Sequence, residues 1–453
     1  MILRDFQAIV GQEIKQREEE LCDVKALRDE YKRIAELDSP DKRAQLEALL
    51  AKVDALESPL EDQEPSDLEG IRALRPKGPR SVEKIFSYAE LYDRMYGAWL
   101  GRCAGCQLGK PVEGDNKANI RAAAELSTGY PLDNYFGAIV NPPKSISRRN
   151  WSPGNSSLID RMTYMARDDD TDYTIVGLRL LEMHGLDFTA QNVANYWLSQ
   201  FPYHRVYTAE RIAYRNLVDG LTPPETASFL NPAREWIGAQ IRADAFGYVC
   251  PGLPEKAAEL AFKDASLSHT KNGIYGEMMM AAMIAAAAVT DDIERIIEVG
   301  LSEIPAGSRL AKAIRDTVKR AKSDGDWEKT ADWIAAELGH YQGCHTITNA
   351  AIVVLGLVAG EKDFGKTIGI SVMAGFDTDC NGATAGSILG MALGAEAIPP
   401  KWTLPFNDTI HSAINEVSQA KISDMARRTL SIAVRVLNIE GITENKDLTW
   451  NIP

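Results

Sequence analysis

The chain has 453 residues, 45% hydrophobic and 25% charged, the balance of an ordinary globular protein with enough length for a large core. Its formal net charge of −14 repels phosphate backbones, so a nonspecific nucleic-acid binder is excluded as a reading. The longest apolar runs, Met278 to Val289 and Ala350 to Gly360, fall short of the roughly 18–20 residues of a membrane span, so no membrane partner is expected. The first twenty residues turn charged too early for a secretory signal, and the six cysteines show no disulfide framework. Together these features predict a cytoplasmic protein.

Residues 1 to about 60 are predicted to be helical, with a break at Ser39-Pro40. Leu21, Val24, Leu27 and Tyr31 keep helical spacing before the break, and Leu46, Leu49, Leu50 and Val53 keep it after. A helical hairpin is expected, serving as a packing arm or as a contact in a homo-oligomer. It is acidic: residues 1–70 hold 10 Lys/Arg against 19 Asp/Glu. The stretches "ESPLEDQEPSDLEG" and "RPKGPRS" then mark a boundary, dividing an extension at 1–80 from a main unit at 81–453.

Beyond Ser81 the pattern is helical nearly throughout and alternating strand patterns are almost absent, which predicts an all-α fold. Tyr88, Leu91/Tyr92, Met95, Trp99 and Cys103 form the buried stripe of a first long helix. Residues 127–158, rich in Pro, Gly and aromatics, are predicted to be a long surface loop with Arg148 and Arg149 in it. Near the far end, Gly382, Gly386, Gly390 and Gly394 recur every four residues and place a bare ridge on one helix face. Four glycines cost a helix about 3–4 kcal/mol against alanine, a cost accepted where another backbone comes very close.

Two acidic clusters carry the chemistry. "ARDDDTDYTIVGL" sets Asp168, Asp169 and Asp170 ahead of an apolar helix, and "GFDTDCNG" sets Asp377 and Asp379 ahead of the glycine ridge. Asp377-x-Asp379-x-Asn381-Gly382 imitates half an EF-hand loop, but the twelfth position, where such a loop needs Glu, is Ile388. Consecutive carboxylates repel unless solvent or a cation compensates them, and two such clusters have the donor chemistry of a Mg²⁺ or Mn²⁺ site. Zinc is disfavoured, since the six histidines show no ligand grouping. Cys103-Ala-Gly-Cys106 is a lone C-x-x-C without the context of a redox motif.

Three segments together resemble the ADP-ribosylglycohydrolase family, in its order and spacing. "GCQLGKPVE" (Gly105 to Glu113) resembles G-D-A-x-G-x-P-x-E, "DDDT" (Asp168 to Thr171) resembles T-D-D-T, and "GFDTDC" (Gly375 to Cys380) resembles G-x-D-T-D-T. The resemblance covers roughly residues 87–400 and implies an all-α glycohydrolase with two Mg²⁺ or Mn²⁺ ions. It implies metal ligation by Asp169, Asp170, Asp377 and Asp379, with Asp168 in the place of a threonine but still offering an oxygen. Glu113 resembles a glutamate that gates the metals, and Glu113 or Asp169 would be the general base. Gly375 and Cys380 fall in the third signature, where Cys380 replaces a threonine; Cys106 replaces the aspartate of the first. His269 resembles a ligand-contacting helix start, and Gly238 to Gly247 falls where a phosphate-contacting loop is expected.

Some residues keep two readings. Arg242 and Asp244 are either a structural ion pair or pocket-lining; His345 and Asn349, four apart on one helix face, are either a buried hydrogen-bonded pair or substrate contacts. The implied reaction is hydrolysis of an N- or O-glycosidic bond at ribose C1 in a small-molecule or ADP-ribosylated substrate. A nucleoside-type ribosidase and a non-enzymatic binding member of the same fold are the alternatives.

Overall fold

The structure is a computed structural model and describes residues 2–80, 84–147, 149, 151–445 and 449–452. Arg148 and the first residues after the expected boundary at residue 80 lie outside these. Among the described residues the regular structure is helical except for two short antiparallel ribbons, Lys84–Ser87 with Thr449–Ile452 and Thr409–His411 with Gln419–Lys421. The fold is all-α. No described helix is long and apolar enough to cross a membrane.

The expected N-terminal hairpin is a three-helix arm. Helices α1 (Leu3–Glu19), α2 (Lys25–Ala35) and α3 (Lys42–Asp54) are separated by a turn at Leu21, whose φ is +64°, as well as by the break at Ser39-Pro40. Their apolar faces enclose a small core of their own, built on Val10, Ile14, Ile34, Leu46, Leu49 and Val53. Leu21, counted in the stripe, is exposed instead because it sits in the turn. The segment after the arm is not a free linker. It forms α4 (Leu68–Leu74), and Arg72 and Arg75 tie it to the main unit through Glu259 (3.1 Å), Glu255 (2.5 Å) and Glu303 (2.6 Å).

Helix α5 (Tyr88–Gly109) starts on a Ser87 cap and buries Leu91, Met95, Trp99 and Cys103 as the spacing predicts, with Tyr88 left exposed at its first turn. Its other face is the fold's central joint. Gly97, Gly101 and Gly105 meet Gly390, Gly386 and Gly382 of the antiparallel Thr378–Leu393 helix, each opposite the backbone carbonyl of its partner. A Cβ at any of these six positions would overlap that carbonyl. Gly109 continues the ladder against the backbone of Thr378 and Asp379. Gly394 is not part of it; it is the C-cap residue, with φ +87°.

Helix α6 (Lys117–Leu126) leads into the irregular stretch expected as a surface loop. It departs from that expectation: Tyr135, Phe136, Ile146, Trp151 and Leu158 are buried in the main core. Phe136 and Trp151 pack edge to face at 5.7 Å, and the Tyr135 hydroxyl donates to the Trp402 carbonyl at 2.7 Å. Aromatic anchors, not surface mobility, are what the composition of this stretch encodes.

Candidate metal centre and cleft

The second signature opens α7 (Asp169–His184), with Asp168 as its N-cap accepting from the Asp170 amide at 3.2 Å. The third opens the Thr378–Leu393 helix, with Asp377 at its N-cap position. The first signature ends α5 and turns through Lys110–Val112 to Glu113. Because the glycine ladder presses Gly109 onto Thr378 and Asp379, Glu113 is delivered beside Asp377 and Asp379.

Ligand atoms of Glu113, Asp377 and Asp379 lie within 4.8 Å of one another, as do those of Asp170, Asp379 and Cys380, and those of Cys106, Asp168 and Asp170. Shared members join the three triads into one acidic constellation. It forms part of the wall of a cleft of about 740 Å³, also lined by Asp169, Lys110, Glu210 and Cys344.

The electrostatics are those of carboxylates held too close to ionise together. Burial and then neighbouring carboxylate charge push the Asp169, Asp170 and Asp379 carboxyls well above the usual range, against the pull of Arg167 on Asp169 and of Arg102 on Asp170. Glu113, solvent-accessible but walled in by the cleft, is pushed up to about 7 by desolvation and by Asp377 and Asp168. Burial alone would raise Asp168, yet the Lys110 ammonium at 2.8 Å holds it below its ordinary value.

The donor set fits a divalent cation. Asp379 is 5% exposed and its Oδ1 has no hydrogen-bond donor, an orphaned buried oxygen inside two of the triads. A buried carboxylate oxygen without a partner is costly, and a hard cation is the partner that oxygen ligands suit.

Other predicted residues stand elsewhere. Arg242 does not line the cleft and does not pair with Asp244. It is buried against Asp264, Glu210 (2.9 Å) and Glu277 (3.6 Å), because residues two apart do not share a helical face. Asp244 is buried too and takes Arg102 at 2.8 Å, with Ser387 and Tyr248 as further donors. His269 is buried off the cleft, its Nδ1 on the Ser268 hydroxyl at 2.8 Å. His345 caps the Thr346–Ala359 helix, its Nδ1 accepting from the Ile347 amide, and burial pushes its pKa down to about 3.

Asn349 lies behind the site, its Oδ1 accepting from the Asp377 amide (3.2 Å) and from Asn381 (2.9 Å). Gly375, with φ +90°, lies against the Asp115 carbonyl and turns the chain into Asp377. Of the predicted set, the cleft wall itself holds Glu113, Asp168, Asp169, Asp377, Asp379 and Cys380, and Asp170 joins them through the shared triads.

Sequence reasoning passed over Arg102, Lys110 and Cys344. Lys110 and Cys106 stood inside the first signature, but nothing in their spacing says that they face Asp168 and Asp170. Nor did it single out a ring pair at the cleft, where Tyr164 and His411 stack at 4.0 Å and 8°.

A family model described as ADP-ribosylglycohydrolase matches residues 87–433. Among solved structures, a chain described as an ADP-ribosylglycohydrolase-related protein complex aligns at 19% identity over 76% of this chain and 98% of that chain, with a TM-score of 0.48. No curated protein matches. With the family match spanning most of the chain, this protein belongs to the ADP-ribosylglycohydrolase family.

Proposed function

We propose that this chain is a divalent-cation-dependent glycohydrolase, using Mg²⁺ or Mn²⁺, that hydrolyses the bond at C1 of a ribose in an ADP-ribosyl or related ribosyl substrate. The observation that carries this is the orphaned Asp379 Oδ1 within the constellation that Glu113, Asp377 and Asp170 form around it. A divalent cation bound there would supply Lewis-acid contacts to ribose hydroxyls and orient a water.

The chain's own residues supply the rest. Asp377 and Asp379 sit at the start of a helix locked to α5, so their carboxylates are held by packed backbone and not by a loop. Asp169 is half-buried in the cleft wall, with no hydrogen bond to its carboxylate among the described residues. It is placed to take a proton from water. Glu113 stands in the same cleft, where a carboxyl can exchange a proton with the leaving group or with water. The gathered carboxylates also favour the positive charge that develops at C1 as the glycosidic bond breaks. Away from them, Arg205, Tyr207 and the Tyr164–His411 pair line the cleft with a cation and rings that suit a diphosphate and a base.

One observation favours a smaller, phosphate-free riboside. The segment expected to contact phosphate turns Arg242 inward, and behind Gly238 the cleft meets the Glu210 carboxylate. A hydrolysis screen over ADP-ribosyl-arginine, ADP-ribosyl-serine and simple nucleosides, with Mg²⁺ and with Mn²⁺, tests both readings. Cleavage that requires the metal is expected, and preference for the diphosphate-bearing substrates decides between them. Asp169→Asn and Glu113→Gln should each lower kcat by roughly 10²–10⁴ with ligand binding retained. Failure to cleave any riboside with either ion would sink the proposal.

A further inference from the structure

The acidic constellation is not evenly short of positive charge. On its α7 side two protein cations are built in. Lys110 Nζ lies 2.8 Å from Asp168 and donates to the Arg167 carbonyl at 2.6 Å. Arg102, fully buried, lies 3.0 Å from Asp170 and 2.8 Å from Asp244, and also donates to the Asp170 and Ile241 carbonyls. These groups are fixed by several bonds each and are not free to move away. Sulfur gathers on this side as well: Cys106 belongs to the triad with Asp168 and Asp170, and Cys380 to the triad with Asp170 and Asp379.

The other side differs in charge, although the Cys344 and Cys380 thiols lie beside Asp377. Glu113, Asp377 and Asp379 form the one triad made of oxygen alone; Lys110 and Arg149 act on Glu113 from a distance, but among the described residues their ion pairs are with Asp168 and Asp115. Arg149, in the neighbourhood, is engaged by Asp115 at 3.2 Å. Asp379, whose Oδ1 is the orphaned buried oxygen, belongs to this triad and also to the one with Asp170 and Cys380. Lack of an ion-paired protein cation and a complete set of three hard oxygen donors therefore coincide at Glu113, Asp377 and Asp379, while each triad that includes Asp170 needs a thiol, a poor ligand for a hard ion, to complete it.

We infer that the metal centre of this chain is mononuclear, with one hard divalent cation at Glu113, Asp377 and Asp379, and with Lys110 and Arg102 providing the positive charge on the α7 side. This rests on the metal-dependent reading above and narrows it.

The test counts ions. Metal-stripped full-length protein is titrated with Mn²⁺, bound metal is measured by elemental analysis, and the paramagnetic resonance signal is recorded. One Mn²⁺ per chain with the signal of an isolated ion is expected. Lys110→Met, which removes the ammonium and frees Asp168, should bind a second Mn²⁺ and give a spin-coupled signal. Asp168→Asn should keep one ion at an affinity within about twofold of the unsubstituted chain, whereas Asp379→Asn should weaken binding at least tenfold. Two ions in the unsubstituted chain overturn the inference. So does a folded Lys110→Met protein that still takes one, and, should that variant not fold, so does loss of the ion in Asp168→Asn. Binding of no ion at all overturns the metal-dependent reading itself, and this inference with it.

Discussion

The Asn349 side chain makes four hydrogen bonds, all to the frame of the site. It accepts from the Asp377 amide and from Asn381, and it donates to the carbonyls of Gly343 and His345 at 2.9 Å each. Replacing it with Ala leaves buried donors and acceptors without partners, at about 1–3 kcal/mol for each group stranded. Asn349→Ala should lose roughly 2–4 kcal/mol in urea denaturation. Its Mn²⁺ affinity should fall as well, because the turn that carries Asp377 loosens; an unchanged metal titration would contradict this. At this scale the sequence was only partly legible. The spacing of His345 and Asn349 said that they share a face, and the structure makes Asn349 a brace that bonds the His345 backbone. Which cations meet which carboxylates was hidden, since Lys110 and Asp168, or Arg102 and Asp244, are joined only by the fold.

The ladder between α5 and the Thr378–Leu393 helix is the element that places the site. Gly386→Ala gains about 1 kcal/mol of helix propensity but drives a methyl into the Gly101 carbonyl, which as backbone of a packed helix cannot step aside. A net destabilisation of roughly 2 kcal/mol is expected by thermal or urea melting, together with weaker metal binding. A more stable Gly386→Ala protein would show that the two backbones can part. The ridge at Gly382, Gly386 and Gly390 was legible because glycines four apart stack on one helix face and strip it of side chains, which only a close backbone neighbour rewards. The neighbour's own glycines, Gly97, Gly101, Gly105 and Gly109, keep the same period, but they share their helix with an apolar stripe that packs in the opposite direction and carries the stronger signal.

Across the whole molecule, the acidic arm is fastened by buried charge. Arg234 meets Glu13 and Glu20 at 2.7 Å each, Lys271 meets Glu20 at 2.9 Å, and Arg309 bridges Glu64 and Glu235 at 2.7 Å each. Ile237, Gly238 and Cys344 of the cleft follow within a few residues of Arg234, Glu235 and Gln342, to which the arm is bonded.

One carboxylate in this contact works against it. Burial pushes Glu19 up to about 7 from an ordinary 4.5, despite Lys15 and the Gln342 amide. An acid with a raised folded-state pKa favours the folded state below 4.5, and that contribution is lost as pH rises toward about 7. Glu19→Gln should therefore be more stable than the unsubstituted protein at pH 8, by about 3 kcal/mol, and equal to it near pH 4. Equal urea midpoints at pH 8 would refute this. None of this docking was legible, since helical periodicity reports which face is apolar and says nothing of pairs more than 200 residues apart.

That separation also has a meaning in time. Glu64 and Arg309 are 245 positions apart, so Glu64 leaves the ribosome well before its partner exists. At about 5–20 residues per second the interval is roughly 12–50 s. Through it the arm's carboxylates have only water and the arm's own cations, such as Arg17 and Arg28. With 19 Asp/Glu against 10 Lys/Arg the first seventy residues stay net negative, a charge that opposes self-association, until Arg234, Lys271 and Arg309 are made.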